Sequence, residues 1–311
     1  MSTSVVINGA ILLTVIVAVV IAVLVTPNFL SVDNLRAILR NASLVGLVAV
    51  AMTPITLSGN FFSLGTQQGA MAASVGFVVL VGRGMDSLLA VLVILFGLLV
   101  VGVVQGLVIS AGLNPVITTL AVGAILYGII SLATNGGIVS VGSHHVSWGS
   151  STIVGVPLEV LVFVLFTTTL GVVMSKTVIG REMMLAGSNK NTAEVSGISY
   201  RRVTVVAFAI FSIGLAIVGA LYGAGFGQAT DQSFGTLTFD VIAAILVGGT
   251  AIEGGFGSPL RSALGAVFIA VISDTMQLNN LSTGGQLAVE GAVVVAVMLL
   301  LKIIRRRVEV R

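Results

Sequence analysis

Residues that could carry out chemistry are few in this chain and widely separated. In 311 positions it has 11 acidic residues, 14 basic residues and two histidines, and it has no cysteine. The lack of cysteine excludes disulfides, thiolate metal sites and a cysteine nucleophile. The two histidines, His144 and His145, are adjacent, and such a pair cannot by itself hold a metal ion. We therefore interpret them as part of a polar loop.

The lysines offer no nucleotide-binding motif. A Walker A loop ends in Gly-Lys-Ser/Thr, whereas Lys176, Lys190 and Lys302 follow serine, asparagine and leucine. The sequence also has no His-x-x-x-His pair for zinc and no Gly-x-Ser-x-Gly nucleophile elbow. We predict a chain that is not an enzyme, with no catalytic residue, metal or cofactor of its own.

Long apolar runs position the few polar residues. Hydrophobic residues make up 57% of the chain and charged residues 8%, and the mean hydropathy is +1.17, whereas soluble domains carry about 25% charged residues. The runs do not alternate apolar with polar residues, so helices rather than a barrel should span the bilayer. No Lys or Arg precedes the first run, as a secretory signal would require, and we interpret it as a retained helix. We predict an all-α polytopic bundle that forms a single transmembrane domain over residues 1–311, with about ten helices near 9–25, 41–58, 66–82, 87–110, 114–133, 158–175, 203–224, 238–251, 260–277 and 286–304.

Basic residues indicate the orientation, because loops that face the cytoplasm carry an excess of Lys and Arg. Two clusters stand out, one between the sixth and seventh helices and one after the last helix: Lys176, Arg181, Lys190, Arg201 and Arg202, then Lys302, Arg305, Arg306, Arg307 and Arg311. Four helices separate the clusters, so both lie on one side, and we predict that the N- and C-termini are cytoplasmic. Arg36, Arg40 and Arg83 fall on the other side. We interpret Asp33–Arg40 as a short interfacial helix that tolerates its arginines.

Acidic residues within the spans are candidates for a transport pathway, since a charge at a helix centre costs about 2.5–3.5 kcal/mol. Glu290 lies four positions into the last predicted helix. Glu159 and Asp240 lie near helix ends, where water or headgroups would reach them, and Asp274 lies toward the outer end of the ninth helix. Glu290 therefore has two interpretations, a place in the pathway or a role in helix packing at the interface.

Two glycine-rich segments interrupt the helices, at residues 58–65 and 248–259. Glycine permits tight turns and close backbone approach, and irregular backbone at membrane depth is tolerated where it is buried or lines a cavity. Plain turns between helices and a pathway role both remain open. Together with Glu290, these segments supply the pathway candidates: Asn60, Phe61, Gly248, Gly249 and Thr250.

The longest polar insertion reads GREMMLAGSNKNTAEVSGISY over residues 180–200. A plain turn between helices needs only a few residues, so this length indicates a docking surface for a soluble partner. We expect Gly180, Gly187 and Gly197 to act as breakpoints. Between Asn191 and Gly197 a short helix is predicted, capped by Asn191 or Thr192, with Glu194 in its first turn.

These residues resemble the permease subunits of ribose-type ABC importers, a family that also includes permeases for other monosaccharides and for autoinducer-2. In that family the loop runs Gly-Arg, Ala-x-Gly-x-Asn, Ala and Ser-Gly-Ile. The matching positions are Gly180, Arg181, Ala186, Gly187, Asn189, Ala193, Ser196, Gly197 and Ile198. A second block, Asp-x-Ile-Ala-Ala-x-x-x-Gly-Gly-Thr followed by Gly-Gly-x-Gly, matches Asp240, Ile242, Ala243, Ala244, Gly248, Gly249, Thr250, Gly254, Gly255 and Gly257.

One block departs from the family. After the second helix the family usually has Gly-Ile-Asp-Leu-Ser-x-Gly, whereas this chain has Gly-Asn-Phe-Phe-Ser-Leu-Gly from Gly59 to Gly65. Phe61 replaces the acidic residue, so no role of that carboxylate is carried over. The replacement points to a divergent subgroup or to one half of a heterodimeric pair.

The resemblance implies a permease in the bacterial inner membrane that moves a sugar or sugar-like solute into the cytoplasm. It implies three protein partners, namely a subunit that binds and hydrolyses ATP, an extracytoplasmic solute-binding protein, and a second permease copy or homologue. The loop near 180–200 would couple the permease to the ATP-binding subunit, so this chain needs no nucleotide itself. Its basic pI needs no nucleic acid to explain it. The alternative is a stand-alone secondary transporter or channel, which would need buried ion or proton sites.

Overall fold

The computed structural model describes residues 3–142, 146, 148–149, 151–153 and 155–309, and within that range the side chains from 9 to 300. His144 and His145, predicted to lie in a polar loop, are outside the described residues. The structure confirms the all-α class. The helices are α1 Thr3–Val25, α2 Val32–Leu57, α3 Thr66–Gly82, α4 Ser87–Ser110, α5 Pro115–Thr134, α6 Leu158–Lys176, α7 Val178–Ser188, α8 Lys190–Val195, α9 Tyr200–Phe226, α10 Leu237–Val247, α11 Pro259–Leu278 and α12 Thr283–Glu309.

Each predicted span has a helix in the structure. Within the described residues, seven helices are long and apolar enough to cross a membrane: α2, α4, α5, α6, α9, α11 and α12. The other three predicted spans correspond to shorter apolar helices, at Gly9–Val25, Thr66–Gly82 and Leu237–Val247. Helix α10 ends four residues before the predicted boundary, because Gly248 and Gly249 leave the helix and Gly249 has a φ of +70°.

Helix α2 lies at the centre of the bundle. Its residues from Val45 to Leu57 are buried, and it packs against α6, α9, α10 and α11. Helix α9 packs in turn against α3 and α4, where a Cβ at Gly106 would lie 2.7 Å from the Cα of Val205. Small residues at such crossings let helix backbones approach closely in lipid. By contrast, α4, α5 and α12 have few buried residues, as helices that face lipid would.

The Asp33–Arg40 segment is not a separate interfacial helix, as we had predicted, but the first turns of α2, capped by Ser31. Two of its arginines have acidic partners. Arg36 lies 3.7 Å from Asp33, and Arg40 lies 3.7 Å from the buried Glu159 at the start of α6. Because Glu159 neutralises Arg40, this arginine can lie on the side with few basic residues. Glu159 is also less accessible than its position near a helix end indicated.

The segments between helices fall at two ends of the bundle. At the hairpin end, which carries the described residues between 135 and 157 together with residues 227–236, strand β1 (Val139–Ser140) pairs with β4 (Gln228–Ala229). A second short pair joins β2 (Thr152–Ile153) and β3 (Val156–Pro157). At the opposite end, here called the junction end, lie residues 58–60, 177–199 and 248–258. The first cluster of basic residues lies at the junction end. In the second cluster, Lys302, Arg305, Arg306 and Arg307 lie in the last turns of α12, which runs toward that end, and Arg311 is outside the described residues.

Two helices begin inside the bundle rather than at its ends. The 11 residues of α10 rise about 16 Å, roughly half of the 30 Å hydrocarbon thickness. The backbone N–H of Gln67, at the start of α3, donates to the Thr238 hydroxyl at the start of α10 over 3.1 Å. The N-termini of α3 and α10 therefore meet inside the bundle, where they follow the irregular segments 61–65 and 230–236.

Candidate functional site: a glycine junction at the coupling segment

The polar insertion forms two helices that are separated by the extended residue Asn189. Helix α7 leaves α6 at Thr177, and α8 follows after Asn189. The Asn189 side chain accepts a hydrogen bond from the Thr192 N–H over 3.0 Å and is therefore the N-cap of α8. The cap predicted at Asn191 or Thr192 was wrong by two or three residues, because Asn189 occupies the extended conformation that a cap requires.

Of the three glycines predicted as breakpoints, only Gly197 ends a helix. It has a φ of +83°, and the Ile198 N–H behind it donates to the Ala193 carbonyl over 3.0 Å, which closes the end of α8. Gly180 and Gly187 lie inside α7 instead. Gly180 is buried where α7 turns back against Met174 of α6, and a Cβ there would collide with the Met174 backbone. Its function is close approach rather than a break.

One face of α7 is buried against the bundle. Met183 and Ala186 lie on that face with Gly180, one helical turn apart, and α7 packs against α2, α6 and α9. Glu182 lies 3.9 Å from Arg202 at the start of α9, which adds a polar contact between these helices. Because α7 is packed along its length, it can transmit a displacement to the bundle rather than absorb it.

Gly187 is the point at which three segments meet. A Cβ on Gly187 would collide with the Leu57 carbonyl and would lie 2.6 Å from the Gly255 nitrogen and 2.9 Å from the Gly59 nitrogen. A Cβ on Gly254 would lie 2.7 Å from the Gly59 Cα. The Gly255 N–H donates to the Leu57 carbonyl over 3.2 Å. Helices α7 and α8, here called the coupling segment after their predicted role, thus share one backbone-to-backbone contact with both glycine-rich segments. This contact is here called the glycine junction: Gly59, Gly187, Gly254 and Gly255.

A buried polar network lies beside the glycine junction. The Asn60 amide donates to Ser58 Oγ over 3.0 Å and to Thr204 Oγ1 over 3.3 Å, and its oxygen accepts from the Tyr200 hydroxyl over 3.0 Å. The Lys190 ammonium of α8 lies 3.9 Å from the centre of the Tyr200 ring, in cation–π contact. Through Tyr200, α8 is connected to the segment that follows α2.

Apolar side chains project from the outer surface of the coupling segment. Val195 at the end of α8 is 92% exposed, and Leu185 of α7 is also exposed. Arg181, Asn189, Ser196 and Gly197 are exposed, whereas Ala193 is buried against the bundle. Exposed apolar groups among charged and polar ones are typical of a protein-docking surface.

The pathway candidates divide between two places. Asn60 and Thr250 are buried, and Gly248 and Gly249 follow the end of α10 beside the start of α11, so these four are near the glycine junction. Phe61 is 41% exposed. Glu290 lies in α12, away from that end. The sequence analysis identified each of these candidates separately. No pattern in the sequence predicted that Gly59, Gly187 and Gly254 lie in contact.

Asp240 and Glu290 form a pair that the sequence analysis did not anticipate. The two carboxyl groups face each other, and the Ser273 hydroxyl of α11 lies next to Glu290. Both residues are buried, although Asp240 had been expected near water at a helix end. Glu290 also borders a cleft of about 320 Å³ between α10 and α12, whose other walls are apolar: Phe239, Ile242, Ala243, Leu246, Leu287, Gly291 and Val294.

A bundle of this kind, in which helices of membrane length surround a central buried helix, defines a multi-pass membrane protein. A family model described as "Branched-chain amino acid transport system / permease component" matches residues 34–302. The chain belongs to this permease family, and it is a permease subunit of an ABC importer.

Curated relatives cover almost the whole chain. The ribose import permease protein RbsC of Bacillus subtilis is 29% identical over 289 residues, which span 91% of this chain and 89% of the relative. The probable ABC transporter permease protein YphD of Escherichia coli is 31% identical over 277 residues, 88% of this chain and 82% of the relative. The autoinducer 2 import system permease protein LsrD of Salmonella paratyphi B is 26% identical over 285 residues, 88% and 85% of the two chains. No solved structure matches.

Proposed function

We propose that this permease moves a sugar or sugar-like solute into the cytoplasm and that the energy comes from ATP hydrolysed by a separate subunit. The observation that carries the proposal is the glycine junction. A docking segment in direct backbone contact with the ends of α2 and α10 is suited to convert movement of a soluble partner into movement of the bundle. The names of the relatives, which refer to ribose and autoinducer 2, support a sugar-like solute.

In this proposal the ATP-binding subunit docks on α7 and α8, so the junction end faces the cytoplasm and both termini lie there. The exposed Val195 and Leu185 would enter an apolar groove of that subunit. The solute-binding protein would deliver its cargo at the hairpin end. A second permease copy or a homologue would complete the transport unit, and the exposed faces of α4, α5 and α12 provide surface for that partner and for lipid.

The test is reconstitution of the chain with its candidate ATP-binding and solute-binding subunits. We expect ATP hydrolysis that rises when the solute-loaded binding protein is added, together with solute uptake into the vesicles. The permease alone should do neither. Stimulation that is equally large with vesicles lacking this chain would contradict the proposal.

The alternative is a stand-alone secondary transporter, and the Asp240–Glu290 pair is the observation in its favour, because buried carboxyls in membrane helices often mark ion pathways. The two functions differ in their energy source. Solute accumulation by the isolated chain along a proton or sodium gradient, without ATP, would support the secondary transporter and refute the importer.

A further inference from the structure

Asp240 and Glu290 are two buried acidic residues that face each other between helices α10 and α12. Asp240 is 9% exposed and Glu290 is 6% exposed. Asp240 lies in the first turn of α10, whose 11 residues span about 16 Å, roughly half of the hydrocarbon thickness of a bilayer. Two carboxylates in contact cannot both stay ionised in such surroundings, because repulsion and the loss of hydration both oppose it.

The hydrogen bonds around the pair leave one carboxylate oxygen without a donor. Asp240 Oδ2 accepts a hydrogen bond from the Thr236 hydroxyl over 2.9 Å, and the Ser273 hydroxyl lies next to Glu290. The Oδ1 atom of Asp240 is buried, and among the described residues it has no hydrogen-bond donor. An ionised carboxylate oxygen is only an acceptor, so two facing carboxylates need a positively charged particle between them.

Among the side chains that the structure describes, the charged groups on the neighbouring helices have contacts elsewhere. Helices α1 and α3 have no titratable residue. On α11, the Arg261 guanidinium lies 5.0 Å from the centre of the Phe256 ring, and Asp274 accepts from Asn34 over 2.9 Å. The arginines of α2 lie 3.7 Å from Asp33 and from Glu159. The negative charge of the Asp240–Glu290 pair is therefore left to be balanced by a small bound ligand.

We propose that Asp240 and Glu290, with the hydroxyls of Ser273 and Thr236, form a binding site for one small monovalent cation, a proton or Na⁺. Carboxylate and hydroxyl oxygens suit either particle. One bound cation reduces two negative charges to one, and the N-terminus of α10 stabilises the remaining charge through its helix dipole. The inference does not depend on the importer function.

The position of the site gives the cation a structural consequence. It connects α10 to α12, and α10 continues directly into Gly248, Gly249 and the glycine junction. A bound cation would hold the two helices together, whereas its loss would leave two like charges in contact and push α10 away from α12. Binding or loss of the cation would therefore change the position of α10, the helix that leads into the glycine junction.

The experiment measures the melting temperature of the full-length chain in lipid nanodiscs. NaCl is compared with choline chloride at constant ionic strength, and mildly acidic buffers are compared with mildly alkaline ones. The variants are Glu290→Gln and Asp240→Asn, which keep the size of each side chain and remove its charge. Asp274→Asn is the matched control, because it removes a carboxyl group of the same bundle that lies outside the pair.

If the ligand is Na⁺, the melting temperature of the unmodified chain rises by several degrees in NaCl relative to choline chloride. If the ligand is a proton, Na⁺ has no effect and the melting temperature falls as the pH rises, because the folded state binds a proton that is lost in alkaline buffer. In either case Glu290→Gln and Asp240→Asn lose the response and Asp274→Asn keeps it. If the melting temperature of the unmodified chain responds to neither cation, the proposal is overturned without reference to any variant. If Glu290→Gln and Asp240→Asn respond as the unmodified chain does, the proposal is overturned as well.

Discussion

Replacing Gly187 with alanine should uncouple the permease from its ATP-binding subunit. The added Cβ would collide with the Leu57 carbonyl and lie 2.6 Å from the Gly255 nitrogen, and all of these atoms belong to the backbone. Side-chain rotation cannot relieve the overlap, so α7 must move away from the ends of α2 and α10. Overpacking of this kind costs about 1–3 kcal/mol, only partly offset by alanine's helix propensity, which is better than that of glycine by about 1 kcal/mol.

The measurements are expression, co-purification with the ATP-binding subunit, and solute uptake per ATP hydrolysed. Gly187→Ala should insert into the membrane normally, because apolar spans determine insertion, and uptake per ATP should fall severalfold. Gly171→Ala in α6 is the matched control. It also adds a methyl group to a helical glycine, but its Cβ would meet nothing within 4 Å. If Gly187→Ala couples ATP hydrolysis to uptake as well as Gly171→Ala does, the glycine junction does not transmit the movement.

Asn60→Ala removes the hydrogen-bond acceptor of the Tyr200 hydroxyl and should lower the free energy of unfolding by about 1–3 kcal/mol. In a double-mutant cycle with Tyr200→Phe, the double variant should lose less stability than the sum of the two single variants. Strictly additive losses would argue against the network. Asn189→Ala should remove the cap of α8 at a cost of about 1 kcal/mol and weaken co-purification of the ATP-binding subunit, whereas Asn189→Ser should restore it. Asn191→Cys should resist an impermeant thiol reagent in intact cells and Gln232→Cys should react, because the two residues lie at opposite ends of the bundle; labelling of Asn191→Cys from outside would invert the proposed orientation.

The helices were predictable because their information is local. Apolar runs near the length of a bilayer crossing lead to helices wherever they occur, since a backbone in lipid must satisfy its hydrogen bonds within the segment. The predicted helix boundaries were wrong where a short polar side chain or a glycine changed the local backbone conformation. Asn189 capped α8 earlier than expected, and Gly249 ended α10 earlier than expected.

The candidate site was predictable only in pieces. The coupling segment was recognisable from its polar residues and from the family blocks, and both glycine-rich segments were apparent as interruptions. Nothing in their spacing indicated that Gly59, Gly187 and Gly254 would touch, because they are separated by long stretches of chain. Backbone contact between distant segments depends on how α2, α7 and α10 pack, and packing is a property of the whole bundle.

The sequence by itself determined that this chain is a membrane helix bundle with basic residues clustered at one end, because hydropathy and charge act on each segment separately. The tertiary structure decided which of the few polar groups act together. Arg40 gained Glu159 as a partner, and Asp240 and Glu290, 50 positions apart in the sequence, became one buried pair. The physical reason is that burial, charge balance and close approach exist only between surfaces, and those surfaces form when the helices pack.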